Sequence, residues 1–327
     1  MKNKKPVIRK IAWRWVVACL LLTALLGIGW EEWLQNSSMP TRAGKRRPEK
    51  VLNDFSQLKG RILFQSDRDG NDEIYAMTPA GTEMTRLTHN KAYDGYPVWS
   101  FDGDKIVFES NREGRFQIYV MRANGRDPVR ITADNYDNRY PCWAPNGKRI
   151  AYQSQRKDGL QIYVVDIATG QEQQLTHHWY RSGLPNWSPN GDKIAFTVNK
   201  LMGWGVYVMN ADGSRVQALE TEGGACRPHW SKNGDLIAYV SQKSDGKGDI
   251  WIMQPDGSGK RRLTTDSANY DYYPAWSGDG NWIVYAHTGD KKKGNWEIRV
   301  ISVQTGKSTQ ITTHSAQDRF PNWNWHG

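Results

Sequence analysis

The stretch "YPVWSFDGDKIVFESNREGRFQIYVMRANGRDPVRIT", Tyr96 to Thr132, decides the fold. Trp99 is followed by Ser100-Phe101-Asp102-Gly103, a turn in which Asp suits the third position and Gly accepts the positive φ that lets a hairpin return. After it come "KIVFES" (105–110), a polar gap, "QIYVM" (117–121), a second glycine turn "ANGR" (123–126) and a short run ending at Ile131-Thr132. Short β-branched and aromatic runs separated by glycine turns are antiparallel strands. The apolar spacing of three and four that a helix requires is absent.

This unit repeats along the chain. The frame Pro-x-Trp occurs at Pro97-Trp99, Pro141-Trp143, Pro185-Trp187, Pro228-Trp230, Pro274-Trp276 and Pro321-Trp323, with gaps of 44, 44, 43, 46 and 47 residues between tryptophans. The turn returns as Ala144-Pro145-Asn146-Gly147 and Ser188-Pro189-Asn190-Gly191, and Leu-Thr or Ile-Thr closes the unit at Thr88, Thr132, Thr176, Thr264 and Thr312. Four strands in about 44 residues is the content of one propeller blade. The start of the array, "GRILFQS" (60–66), lacks a Pro-x-Trp strand, and its end, "RFPNWNWHG" (319–327), has only that strand. The two fragments complete one composite blade, which makes six. The fold expected is all-β: a six-bladed β-propeller over residues 60–327, closed by its C-terminal strand, which removes the open edges of a linear array.

The unit YP-x-W-SPDG-x-x-IAF-x-S, then IYVMNADG, then LT, resembles the repeat of the TolB-type β-propellers, a WD-like family, over about residues 60–327. Departures occur in the fourth blade, with Leu219-Glu220-Thr221 where Leu-Thr belongs and "VNKLMGWG" (198–205) at its second hairpin. The resemblance implies a propeller without the α/β domain that precedes it in the protein that gives the family its name. It also implies a partner docking at the funnel of the propeller.

Ahead of the array, residues 11–30, "IAWRWVVACLLLTALLGIGW", are long enough as a helix to span about 30 Å, a bilayer core. Trp13, Trp15, Trp30 and Trp33 flank the apolar run as interfacial belts would. Five Lys or Arg residues in 1–10 precede it and Glu31-Glu32 follow. The expected order is therefore a cytoplasmic basic tail (1–10), one N-terminal transmembrane helix acting as an uncleaved signal anchor (11–30), a flexible tether (31–59), and a monomeric propeller in the periplasm or outside the cell. The net charge of +10 resides largely here: residues 1–50 hold 11 Lys or Arg against 3 Glu. Anionic lipid headgroups suit that charge, and a near-neutral propeller argues against nucleic acid.

Signatures of catalysis are missing: no Gly-x-Ser-x-Gly, His-Glu-x-x-His, Cys-x-x-Cys or P-loop occurs. "SDRDGNDE" (66–73) reads as a solvated turn, and His89, His177 and His314 occupy repeat positions with no carboxylate partner set by spacing. No cofactor and no metal are expected. The segments between blades, "NKAYDGYP", "NYDNRYP", "HWYRSGLP", "EGGACRP", "NYDYYP" and "AQDRFP", are more informative. These crossovers share one face with the hairpins joining second and third strands, and they vary where the other face is uniform. Variation on a rigid scaffold is where binding is built. The expected binding residues are Asp94, Tyr96, Asp137, Tyr140, Tyr180, Arg181, Asp271, Tyr272, Tyr273, Asp318, Arg319 and Phe320, a surface suited to a protein or peptide because Tyr and Arg dominate binding hot spots. Two alternatives stand beside that scaffold: an enzyme, hydrolase or lyase, acting on a glycan or peptide through charged funnel residues, and a sensor of a small ligand.

Overall fold

Each Pro-x-Trp frame lies in the first strand of a four-stranded antiparallel sheet, and the described residues of the computed structural model form six such sheets. The structure describes residues 58–177, 180–200, 203–266, 268–292 and 294–324. The expected tail, transmembrane segment and all but the last two residues of the tether lie outside these. Among the described residues no helix is long and apolar enough to cross a membrane.

Blade 1 joins the two ends of the array. Its strands run in the order Arg319–Trp323, Ile62–Ser66, Glu73–Met77, Thr85–Arg86, with Ile62 opposite Trp323 and Leu63 opposite Asn322. Blades 2 to 6 follow the chain and begin with Asp94–Trp99, Asp137–Trp143, Arg181–Trp187, Cys226–Trp230 and Tyr270–Trp276. The composite blade read from the two sequence fragments is therefore present. The fourth strands are only two to four residues long, as in Thr85–Arg86, Val129–Arg130 and Gln217–Glu220, which leaves little edge for another chain to pair with.

The repeated residues hold the blades together in a repeated way. Each frame tryptophan packs on the preceding blade: Trp99 against Leu63 and Ile74, Trp143 against Val107 and Ile118, Trp187 against Ala151 and Ile162, and Trp230 against Ala195 and Val206. The residue between Pro and Trp also reaches sideways. Asn322 Oδ1 accepts the Trp99 N–H at 2.9 Å, Asn186 Oδ1 that of Trp230 at 2.8 Å, and the Cys142 thiol that of Trp187 at 3.3 Å. Within blades, Thr88, Thr132, Thr176, Thr264 and Thr312 each accept a third-strand N–H through Oγ1, at 2.8–3.0 Å. That bond explains Leu-Thr. In blade 4 the same place is held by Glu220, which turns to Lys260 at 3.1 Å, and the strand pairing shifts by a residue beside it.

Candidate functional site

The six residues immediately before the frame prolines, Tyr96, Tyr140, Leu184, Arg227, Tyr273 and Phe320, all have positive φ, between 51° and 61°. A residue before proline is ordinarily extended, and a bulky side chain at positive φ is costly by about 1–3 kcal/mol. Every one sits in a bulge: the pairing of first and second strand skips two residues, as between Gly95 and Val98 or Cys226 and His229. The proline has no N–H to lose from the ladder, and the bulge re-aims the preceding side chain. In four blades the freed N–H is taken by the blade before: Tyr96 by Gln65, Tyr140 by Glu109, Leu184 by Gln153 and Arg227 by Thr197, at 2.8–3.3 Å.

The result is a ring of side chains meeting at the centre of the face. The Tyr96 ring lies 4.8 Å from Tyr140 and 5.2 Å from Phe320, Phe320 lies 4.3 Å from Tyr273, and the Arg227 guanidinium sits 4.6 Å over Tyr273. Beneath them only about 40 Å³ of space remains among the prolines, with about 20 Å³ further down beside Trp99, Trp143 and Trp187. Those volumes suit a few waters, so the middle of the molecule is plugged. Burial pushes the hydroxyl pKa of Tyr96 and of Tyr140 upward, so both rings stay neutral.

The open space is off-centre. A pocket of about 370 Å³ is walled by Tyr140, Leu160, Arg181, Trp204, Arg227 and Tyr272, with Gln153, Gln242 and Lys291. Blades 3 and 4 make it deep, because their second and third strands are eight residues long (Arg149–Arg156, Gly159–Asp166, Lys193–Lys200, Gly203–Asn210) where blade 1 has five. The sequence departure "VNKLMGWG" is thus the extended hairpin that carries Trp204, an exposed tryptophan on the wall.

Of the twelve residues singled out in the sequence, Tyr96, Tyr140, Tyr273 and Phe320 form the ring, and Arg181, Tyr140 and Tyr272 line the pocket. Asp94, Asp271 and Asp318 lie beneath the face rather than on it. Asp94 is held by both oxygens to Arg112 at 2.8–3.0 Å, Asp318 likewise to Arg68 at 2.9 Å, and Asp271 to His287 at 2.7 Å. The reason is local: Arg68 and Arg112 come from the neighbouring second-to-third-strand hairpins, lie over the Phe64–Tyr75 and Phe108–Tyr119 ring pairs, and need a counter-charge. Asp137 is partly exposed, accepts the Phe116 N–H at 3.2 Å and lies 3.8 Å from Arg115. Arg319 reaches Asp72 at 3.5 Å, and Tyr180 stands under the Lys200 ammonium at 5.0 Å. The residues not anticipated are Leu184 and Arg227 in the ring and Gln153, Leu160, Trp204, Gln242 and Lys291 in the pocket. The position before each frame proline was a signal for the first two, since it aligns Arg227 with five apolar or aromatic residues. Among the described residues no group of three or more His, Cys, Asp or Glu side chains is placed to hold a metal ion.

Comparison with known proteins follows the same lines. The family model PD40, TolB beta propeller domain, matches residues 53–158 and 139–327. Among solved structures, TolB from Acinetobacter baumannii superposes with a TM-score of 0.71 at 21% identity, over 83% of this chain and 67% of that one. A protein provisionally called TolB from Agrobacterium tumefaciens gives 0.65 at 21%, over 78% and 89%. An oligogalacturonate lyase from Vibrio parahaemolyticus gives 0.56 at 17%, over 78% and 75%. At these identities the likeness is one of fold. No curated protein matches the chain significantly.

Proposed function

The chain belongs to the TolB β-propeller domain family, and from that premise we propose that it is a membrane-anchored, extracytoplasmic binding scaffold that docks a protein or peptide on the face carrying the crossovers. Residues 11–30 anchor it, residues 31–59 give it reach, and nucleic acid is not its partner, because the excess positive charge belongs to residues 1–50. One observation carries the docking reading. Six crossovers each spend a strained backbone position to bring a side chain to the centre of one face, beside a pocket whose wall exposes Trp204. Strain of this kind collects at binding sites, and exposed aromatic surface beside charge is the composition of protein hot spots.

The test is affinity capture with the tagged full-length chain from detergent-solubilised membranes. Leu160→Ala/Trp204→Ala should lose the partners that wild type retains, while Lys148→Ala, in a turn on the opposite face, should keep them. Equal capture by all three proteins would sink the proposal.

A further inference from the structure

We propose that the off-centre pocket is a binding site for a small ligand that carries an oxyanion, carboxylate or phosphate, beside a flat ring. This inference goes beyond protein docking and does not depend on it.

The first ground is charge. Elsewhere on this face the arginines are neutralised: Arg68 by Asp318, Arg112 by Asp94, Arg139 by Glu109, Arg156 by Asp134 and Glu172, and Arg319 by Asp72. The three cations of the pocket, Arg181, Arg227 and Lys291, have no carboxylate partner among the described residues, and no Asp or Glu lines the pocket. A concave, partly desolvated site with three uncompensated positive charges favours an anion over water.

The second ground is the direction of the hydrogen bonds. The Tyr272 hydroxyl accepts from Gln242 Nε2 at 3.1 Å and from the Lys291 ammonium at 3.1 Å. With both acceptor positions used, it has only its own O–H left to give. Gln153 uses Oε1 on the Leu184 N–H at 3.2 Å, which leaves its amide protons. Arg227 Nε is buried with no hydrogen-bond partner, although the guanidinium lies over the Tyr272 and Tyr273 rings. Arg227 Nη1 donates to the Cys226 thiol at 3.3 Å, and a buried donor left unmade, as at Nε, is costly. The pocket is thus short of acceptors, and an oxyanion supplies them at the geometry an arginine fork prefers.

The third ground is shape. Tyr140, Tyr272 and the exposed Trp204 are among the lining residues, and about 370 Å³ is at the lower end for a small-molecule site, enough for one ring and its acid group.

The experiment is calorimetric titration of the full-length chain in detergent, with N-acetyl-tyrosine as the carboxylate probe, its neutral amide N-acetyl-tyrosinamide as control, and inorganic phosphate as the third arm. At least one oxyanion is expected to bind, N-acetyl-tyrosine at least about tenfold tighter than the amide if carboxylate is the chemistry, phosphate alone if it is not. The exposed pair Arg181→Gln/Lys291→Gln should weaken binding by about tenfold or more with an unchanged melting temperature, and the wild-type affinity should fall with added salt. Binding of the amide as tight as that of the acid, no effect of the double variant, or no binding of any oxyanion at 10 mM, on the order of the weakest useful affinity, would overturn the proposal.

Discussion

Trp323→Ala perturbs the strand that closes the ring, and its cost can be worked from the structure. Trp323 is 1% exposed and packs among Ile62, Phe64, Tyr75 and Trp276, and its indole N–H donates to the Lys59 carbonyl at 3.0 Å. Burying about 200 Å² of indole contributes at most about 5 kcal/mol, and large-to-small core changes at tryptophan cost about 3–5 kcal/mol. For a domain of this size each kcal/mol moves the melting temperature by about 2 °C, so a fall of about 6–10 °C is expected. Trp187 is the same residue at the same place in a blade whose strands are all joined through the chain, and Trp187→Ala should cost about as much globally. The difference is local. A first strand held to the second by pairing alone, with no turn joining them, can come away while the rest of the ring stands. Trp323→Ala should therefore speed amide exchange within Ile62–Ser66 at Leu63 and Gln65, whose N–H groups face the closing strand, whereas Trp187→Ala should leave the exchange of that strand at its wild-type rate under native conditions. Hydrogen exchange followed by mass spectrometry reads both. Unchanged melting, or protection of Ile62–Ser66 that Trp323→Ala leaves intact, would refute closure by the terminal strand.

Other outcomes follow from particular contacts. Burial pushes His229 down to about 4, partly offset by the Trp230 carbonyl, so the unfolded chain binds the proton first and stability should fall as pH drops from 6.5 to 4, by about 3 kcal/mol. His229→Asn, the residue that blades 1 and 4 carry there, should flatten this part of the profile in urea melts. The variant-minus-wild-type difference separates His229 from Asp249, which burial pushes up to about 6 and which titrates across the same range in the opposite sense. Glu109→Ala leaves Arg139 and the Tyr140 N–H without their acceptor and should cost about 3–5 kcal/mol, while Glu109→Gln, which mimics Gln65 and Gln153, should cost clearly less in the same melts. A single cysteine at Ser38, with Cys19, Cys142 and Cys226 all replaced, should react with a membrane-impermeant maleimide on intact spheroplasts. Labelling only after lysis would reverse the proposed orientation.

The sequence made the blades legible because their determinants are local. A proline, a tryptophan and a Ser-x-x-Gly turn act within a few residues of one another, and their spacing counts the strands directly. The composite blade was legible for the same reason, since each half lacked what the other had. The site was legible in part. That crossovers supply it followed from the repeat, but which side chains remain available depends on where the crossover into a blade meets that blade's own second hairpin. Asp94 lies 18 residues before Arg112, and Asp318 lies 250 residues after Arg68. Nothing in the spacing says that these carboxylates will be spent on cations stacked over neighbouring rings. The positive φ before each proline ran against local preference, so it too was hidden until the bulge was seen. Arg227 is the least legible member of the ring, because its crossover "EGGACRP" has no tyrosine.

The most direct measurement of docking on this face is position-resolved photo-crosslinking in living cells. A photoreactive amino acid would be placed in turn at Leu160 and Trp204, on the pocket wall, and at Lys148 and Lys193, among the turns of the opposite face. Discrete crosslinked species from Leu160 and Trp204, and none from Lys148 or Lys193, are expected. The same species from both faces, or from the turns alone, would contradict the proposed use of the propeller.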